Sequence, residues 1–324
     1  MCTGVSYTTR DHYFGRNLDL EFSYNETVTV TPRSFPFEFR KAPALATHHA
    51  IIGMATIADG YPLYYDATNE KGLSMAGLNF PENAHYKPEA DGATNITPFE
   101  LIPWLLGQFE TIDEVKTALS TLNLVKIDFS ETFPLSPLHW IVSDRTASIT
   151  VESVKDGLKV YDNPVGVLTN NPTFDIQSFN LNNYMHLSRK PPEKNFSDDL
   201  SFDVYSRGMG ALGLPGDLSS ASRFVKAAFT KMNSVAGDSE SESISQFFHI
   251  LGSVAQQRGC AEVSPGKFEI TIYSSCCNTD KGIYYYTTYE NSQVTGVDLH
   301  KEDLDGSALA AYSLIKGQRV HMQN

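Results

Sequence analysis

The chain has 324 residues, 41% hydrophobic and 19% charged, enough for one large domain or two ordinary ones with a sizeable core. Its formal charge of −13 repels phosphate backbones, so no nucleic-acid partner is expected. No apolar run approaches the roughly 20 residues of a membrane span, and the N-terminus lacks the basic and apolar segments of a signal peptide; the expectation is a cytoplasmic protein with no membrane partner.

The first stretch predicts strands. Val28 and Val30 alternate with Thr27, Thr29 and Thr31 until Pro32 ends the run. Ala50 to Ile57 and the small-residue segment Gly72 to Phe80 follow as further apolar stretches. Two helices are then expected from capping boxes. Thr97, Pro98 and Glu100 supply a cap, a first-turn proline and an acid at the third helical position, and Thr111 with Glu114 repeats the device ahead of a stripe of Val115, Leu119 and Leu122.

Strands return where Ile149 and Val151 alternate with Ser148, Thr150 and Glu152, and continue through Leu158 to Tyr161 and Val165 to Thr169. The polar stretch from Asn180 to Ser201, with Pro191 and Pro192, predicts a long loop. A helix is expected from Ser219 into Phe229, and another carries Ile244, Phe247, Phe248, Leu251 and Val254 on one stripe. Phe268 to Ser275, Ile283 to Tyr289 and Gln293 to Leu299 complete the strands, the first two separated by the turn-like Asn278 to Gly282. Clustered strands and helix pairs predict an α+β fold rather than alternating β-α-β units: two sheets, each covered on one face by two helices.

The four cysteines, Cys2, Cys260, Cys276 and Cys277, show neither C-x-x-C nor zinc-like spacing. Three predict ordinary free thiols, whereas Cys2 follows Met1 directly. Loss of Met1 would leave a thiol and a free α-amine on one residue, and an amine titrating near 7.7–8.0 is a suitable general base at neutral pH. The cluster Phe14, Gly15, Arg16, Asn17, Leu18 and Asp19 stands at hairpin distance from Cys2. A strand from Thr3 and a return at Tyr13 to Asn17 would bring Arg16 near the thiol, lowering its pKa, and Asp19 near the amine.

The sequence resembles the choloylglycine hydrolase family, in its conjugated-bile-salt branch. The resemblance runs through MCTG, YFGRNLD, NEKGLSMAGLNF, PLSPLHW, GVLTNNPTFD, LPGDLSSASRF, SQFFHIL and DKGIYYYTTYEN, essentially the whole length. It implies an N-terminal-nucleophile hydrolase with a four-layer αββα sandwich, as a single domain over residues 1–324, with an excursion at about 180–215 in subunit contacts and relatives that are tetramers. Cys2 takes the nucleophile's place. Arg16 and Asp19 flank it, Asn79 and Asn170 serve the oxyanion, the former partly through its backbone amide, and Arg223 completes the polar set. No metal and no cofactor is implied. The implied substrate is a conjugated bile salt, hydrolysed through a thioester, with Leu18, Tyr24, Ala58, Tyr65, Phe129, Phe133 and Leu138 around the steroid.

Taken singly, these residues have blander readings: Asn170 before Asn171 and Pro172 as a turn, Arg223 as a solvated helix charge, His249 as a core histidine. A Cys-His pair built from His139 or His249 with Cys260, Cys276 or Cys277 has nothing to fix it. Within the same fold the rival is a penicillin V acylase, whose members commonly carry tyrosine where Asn79 stands in GLNF. A non-catalytic sterol-binding protein on the same scaffold would not need Cys2, Arg16, Asp19 and Asn170 together.

Overall fold

The computed structural model describes residues 1–324. Its N-terminal hairpin pairs strand β1 (Cys2–Thr8) with β2 (His12–Leu20), setting Cys2 opposite Leu18 and Gly4 opposite Arg16. Both strands are buried along nearly their whole length, as expected of the centre of a stacked structure. Around the hairpin runs a six-stranded sheet in the order β12 (Val167–Leu168), β1, β2, β15 (Ile270–Asn278), β16 (Ile283–Thr288), β17 (Asn291–Asp298).

The second sheet has eight strands, in the order β11 (Gly157–Asp162), β10 (Ser148–Val154), β9 (Leu138–Ser143), β6 (Ser74–Asn79), β5 (Tyr61–Asn69), β4 (Ile51–Ala58), β3 (Thr27–Thr31), β18 (Ala310–Ser313). Two small two-stranded pieces, β7 (Thr94–Ile96) with β8 (Leu122–Leu124) and β13 (Glu262–Ser264) with β14 (Lys267–Phe268), stand apart. Every pairing in the two large sheets is antiparallel.

The sheets face each other. Val5, Phe14 and Leu18 from the first share a buried cluster with Met54, Ala76, Leu78 and Ile141 from the second. Helices α4 (Ser220–Asn233) and α5 (Glu240–Gly252) cover the outer face of the six-stranded sheet, where Phe224 and Phe247 join that cluster. Helices α1 (Leu101–Gln108) and α2 (Ile112–Leu119) cover the other sheet through Leu101, Leu105 and Val115 against Met75, Trp140 and Val142. Helix, sheet, sheet, helix is the αββα order expected. Each fully buried large aliphatic or aromatic side chain in these layers contributes about 1.5–3 kcal/mol, so the interior fixes the strand register that the site depends on.

Several local expectations differ from the structure. The box at Thr111 forms in full. At Thr97 only half forms: Glu100 accepts the Thr97 N–H with one carboxylate oxygen and the Arg40 N–H, at 2.6 Å, with the other, but the Thr97 hydroxyl has no partner and α1 starts at Leu101. Leu122 lies in β8 beyond the helix it was assigned to. Strand β5, helix α3 (Phe174–Asn180) and β18 were not expected at all. Beyond Asn180, the last residue of α3, residues 181–215 contain no strand and only two short 3-10 turns.

Candidate active site

Register brings the site together. Cys2 ends the hairpin and is 2% exposed, beneath Met1, which prolongs the pairing: its carbonyl accepts the Asp19 N–H at 2.9 Å, and its ammonium donates to the Asp19 carbonyl at 2.6 Å and pairs with Glu269. Burial pushes the amine at this end below its ordinary pKa, offset in part by the Cys2 thiolate and Asp19.

The Cys2 N–H donates to Asn170 Oδ1 at 2.8 Å. Asn170 follows the short strand β12, which pairs with β1, so its proximity to the chain start comes from the sheet. Its Oδ1 also accepts from Arg223 Nη2 at 2.7 Å, while its Nδ2 donates to the Asn79 carbonyl at 2.6 Å. Asn79 ends β6 opposite Leu138, in the facing sheet. One side-chain amide thus ties the first residue of β1 to the last residue of β6 in the facing sheet, and both to Arg223 of α4.

Arg223 is fully buried in the first turn of α4, not a solvated charge. Its Nη1 donates to the Cys2 carbonyl at 2.5 Å and to Thr3 Oγ1 at 2.6 Å, and its Nε to the Leu218 carbonyl at 3.0 Å. Asp19 is fully buried as well, with Oδ1 accepting from Thr271 Oγ1 at 2.6 Å and Oδ2 lying 4.0 Å from Arg223 Nη1. Burial pushes the Asp19 carboxyl up against the pull of Arg223, and pushes Arg223 down against the pull of Asp19. At 4.0 Å the attraction does not make up the desolvation cost of either partner.

Arg16 projects between the sheets, donating from Nη1 to the Tyr65 carbonyl at 3.1 Å and to the Gly77 carbonyl, and from Nε to the Asn17 carbonyl. Burial would lower its pKa, but the Cys2 thiolate, Tyr273, Asp66 and Asp19 outweigh that and raise it, so the guanidinium is a fixed positive charge beside the thiol. Arg16 Nη2 and Asp19 Oδ2 are both buried without a hydrogen-bond partner. Such orphans are rare in folded interiors and mark a place where geometry serves something other than stability.

The expected steroid contacts divide. Leu18 is buried beside Cys2, Leu138 faces Asn79 across the sheet, and Tyr65 meets Arg16 through its carbonyl. The Tyr65 hydroxyl bonds Thr56 at 2.9 Å, two residues before the buried Ala58. Phe129 and Phe133 pack edge to face, with centroids 6.3 Å apart, in the loop between β8 and β9. There Phe129 also meets Phe99, Tyr61 and the Arg40 guanidinium. Tyr24 is exposed and packs on Phe22.

Thr271, Ser220 and Gln177, which hold Asp19 and Asn170 in place, were not singled out from sequence. Sequence carries no signal for them: alternation puts Thr271 on the face opposite to Ile270 and Ile272, and Ser220 and Gln177 lie in helices. The rival Cys-His pairs do not form: His249 is exposed rather than a core residue, and both nitrogens of His139 are engaged elsewhere.

A buried cysteine at a strand end, a fixed cation, a buried carboxylate and two asparagines linked to each other thus meet at one place. The family described as linear amide C–N hydrolases, choloylglycine hydrolase family, matches residues 2–312. The chain belongs to that family. A bile salt hydrolase/transferase of Lactiplantibacillus plantarum is 62% identical over 97% of both chains, and one of Clostridium perfringens is 43% identical over 100% of both. The crystal structure of a mutant conjugated bile acid hydrolase from Clostridium perfringens superposes with a TM-score of 0.93 at 42% identity, covering 100% of both chains. A penicillin V acylase from Agrobacterium tumefaciens, at 19% identity and a TM-score of 0.74 over 98% of this chain and 94% of its own, shares the fold. No helix of this choloylglycine hydrolase family member is long and apolar enough to cross a membrane.

Proposed function

We propose that this protein hydrolyses the amide bond joining a bile acid to glycine or taurine, with Cys2 as its nucleophile once Met1 is removed. The observation that carries the proposal is the 62% identity along 97% of both chains to a bile salt hydrolase/transferase, in a chain whose second residue is a buried cysteine.

The chemistry follows from the parts. The Cys2 α-amine takes the thiol proton, and the thiolate adds to the amide carbonyl. Arg16 is the fixed positive charge beside Cys2, and Asp19 orients the amine with Arg223 behind it. The negative charge that develops on the carbonyl oxygen is met by the Asn79 backbone amide and the Asn170 side-chain amide. Collapse breaks the C–N bond as the amine's proton passes to the leaving glycine or taurine nitrogen. Water then cleaves the thioester and returns the thiol. Leu18, Ala58, Tyr65 and Leu138, with Tyr24, Phe129 and Phe133 on the loops, supply apolar surface for the steroid.

The same proposal extends to assembly and location. Phe179, Met185, Phe196 and Tyr205 are 72%, 81%, 83% and 81% exposed. Exposed apolar side chains of this kind support subunit contacts around residues 180–215, while the reading as a cytoplasmic homotetramer, folded as one domain over 1–324, rests on the family resemblance. Light scattering of the purified protein measures the subunit number.

The deciding experiment compares glycocholate, taurocholate and penicillin V on the mature enzyme. Bile salts are expected to have much the higher kcat/KM. Equal or greater kcat/KM for penicillin V would move the protein to the acylase branch, and binding of bile salts without turnover would make it a sterol carrier.

A further inference from the structure

His139 lies in β9 with no solvent exposure, and its two ring nitrogens face two acceptors. Nδ1 is 3.0 Å from Glu152 Oε1 and Nε2 is 2.9 Å from the Thr169 carbonyl. Nε2 donates to the Thr169 carbonyl, and Nδ1 shares a hydrogen bond with the Glu152 carboxyl group, so both edges of the ring are held. Glu152 Oε1 also accepts the Phe174 N–H at 3.0 Å, at the start of α3. The Phe80 ring lies flat on the imidazole, with centroids 4.1 Å apart and planes 7° apart.

The position of this ring relates it to both asparagines. Phe80 follows Asn79, and Thr169 precedes Asn170. The Thr169 carbonyl and the Asn170 N–H belong to one planar peptide unit. His139 holds its carbonyl side, and Ser220 Oγ accepts its N–H at 2.8 Å. Gln177 closes the bracket, donating to the Asn170 carbonyl at 2.5 Å and accepting from Thr169 Oγ1 at 2.8 Å. On the other side, Asn79 pairs in register with Leu138, the residue before His139. A displacement of the ring would move both arms, while neither ring nitrogen bonds Cys2.

We propose that His139, held by Glu152, is a positioning residue for amide hydrolysis, setting the separation of Asn79 and Asn170. This rests on the reading of those two residues as the oxyanion donors. The ring is held on both edges and stacked on Phe80, so it fixes the Thr169–Asn170 peptide relative to the end of β6. Misplacing reacting groups by an ångström costs on the order of 10²-fold in rate.

The test measures two reactions at the same thiol. Hydrolysis of glycocholate develops an oxyanion. Alkylation of Cys2 by iodoacetamide, in which the thiolate displaces iodide from a saturated carbon, develops none. His139→Leu is expected to lower kcat roughly 10- to 100-fold, with KM and the alkylation rate changed by no more than about twofold. His139→Gln keeps one donor for the Thr169 carbonyl and should fall between His139→Leu and wild type. Should His139→Leu not fold, His139→Gln and Glu152→Gln carry the test, each with a lower kcat at unchanged alkylation rate. Folded variants with wild-type kcat overturn the proposal, as do variants in which alkylation falls in parallel with hydrolysis. Asn170→Ala is run alongside: if it keeps full kcat, the oxyanion reading itself fails, whereas its loss with unaffected His139 variants rejects only the positioning role.

Discussion

The backbone nitrogen of Cys2 and the side-chain oxygen of Asn170 lie 2.8 Å apart across 168 positions of sequence. With Met1 in place that nitrogen is an amide; with Met1 gone it is the α-amine, already beside the oxygen. Arg223 claims the same oxygen at 2.7 Å, which leaves Asn170 Nδ2 directed at Asn79. The asparagine is therefore oriented from its oxygen side by Cys2 and by a buried cation, and its donor end is aimed across the sheets.

Replacing Asn170 with alanine removes that donor. The expected loss in kcat is about 10²- to 10³-fold, the usual cost of one oxyanion donor. Asn170→Asp keeps the oxygen but replaces the donor with an acceptor facing the Asn79 carbonyl, so it should be no better. Steady-state kinetics on glycocholate check both variants, and retention of more than about a tenth of wild-type kcat by Asn170→Ala would remove it from the site.

The four cysteines should separate cleanly. Cys2→Ser is expected to fold and to lose nearly all turnover, because a hydroxyl is far harder to deprotonate than a thiol with a reference pKa of about 8.5. Cys260 is exposed, so Cys260→Ser is the silent control. Cys276 and Cys277 are buried, with thiol pKa values raised by that burial, that of Cys277 to about 12; serine there buries a hydroxyl, and alanine is the cleaner replacement. Intact mass of the wild type should correspond to a chain starting at Cys2, and an active enzyme that retains Met1 would contradict the amine-base mechanism.

Gly15 sets how closely β2 and β15 approach beside the site. A Cβ at this position would lie 2.0 Å from the Ser275 carbonyl oxygen, part of the backbone and unable to swing away. Gly15→Ala should cost about 3 kcal/mol or more and disturb the bond from the Arg16 N–H to Ser275 Oγ, now 3.0 Å. Denaturant unfolding measures it; a change under about 1 kcal/mol would mean that the strands separate freely at this point.

Where side-chain periodicity matched burial, the elements were legible: the Thr/Val alternation of β3, the box before α2 and the stripe of α5 all appear near their expected places. Strand β5 escaped because Pro62 and Asp66 interrupt its pattern. Asp66 is tolerated inside only because Tyr273, Tyr284 and Ser275 from the opposite sheet donate to it at 2.6, 2.7 and 3.0 Å. Helix α3 escaped because Asn170, Asn171 and Pro172 carry a turn signal into its first residues. Cys2 was visible because its position beside Met1 is itself local information, and Arg223 through the family resemblance. Thr271, which holds Asp19, was not, since it reaches its partner through packing across 252 positions of chain.

His12 predicts how stability depends on pH. Its ring is buried, 1% exposed, with Nδ1 2.7 Å from Thr8 Oγ1 and Nε2 3.2 Å from Ser143 Oγ. Hydroxyls satisfy a neutral imidazole without a counter-charge. Burial pulls its pKa from 6.5 down to about 4; Asp280 and Asp144 oppose the shift, while Arg145 and Lys231 add to it. The unfolded chain thus binds a proton near pH 6.5 that the folded chain refuses until about pH 4. Stability from this residue is whole above pH 6.5, falls as the pH drops through that window, and levels off below about pH 4. The full difference amounts to roughly 3 kcal/mol at 1.36 kcal/mol per unit. His12→Gln cannot titrate and should flatten this part of the profile, at some cost in stability at pH 7 from imperfect replacement of the two hydroxyl contacts. Denaturant unfolding of both proteins between pH 7 and pH 4 decides the matter: parallel curves would show that His12 is protonated in the fold and that other groups account for the acid sensitivity.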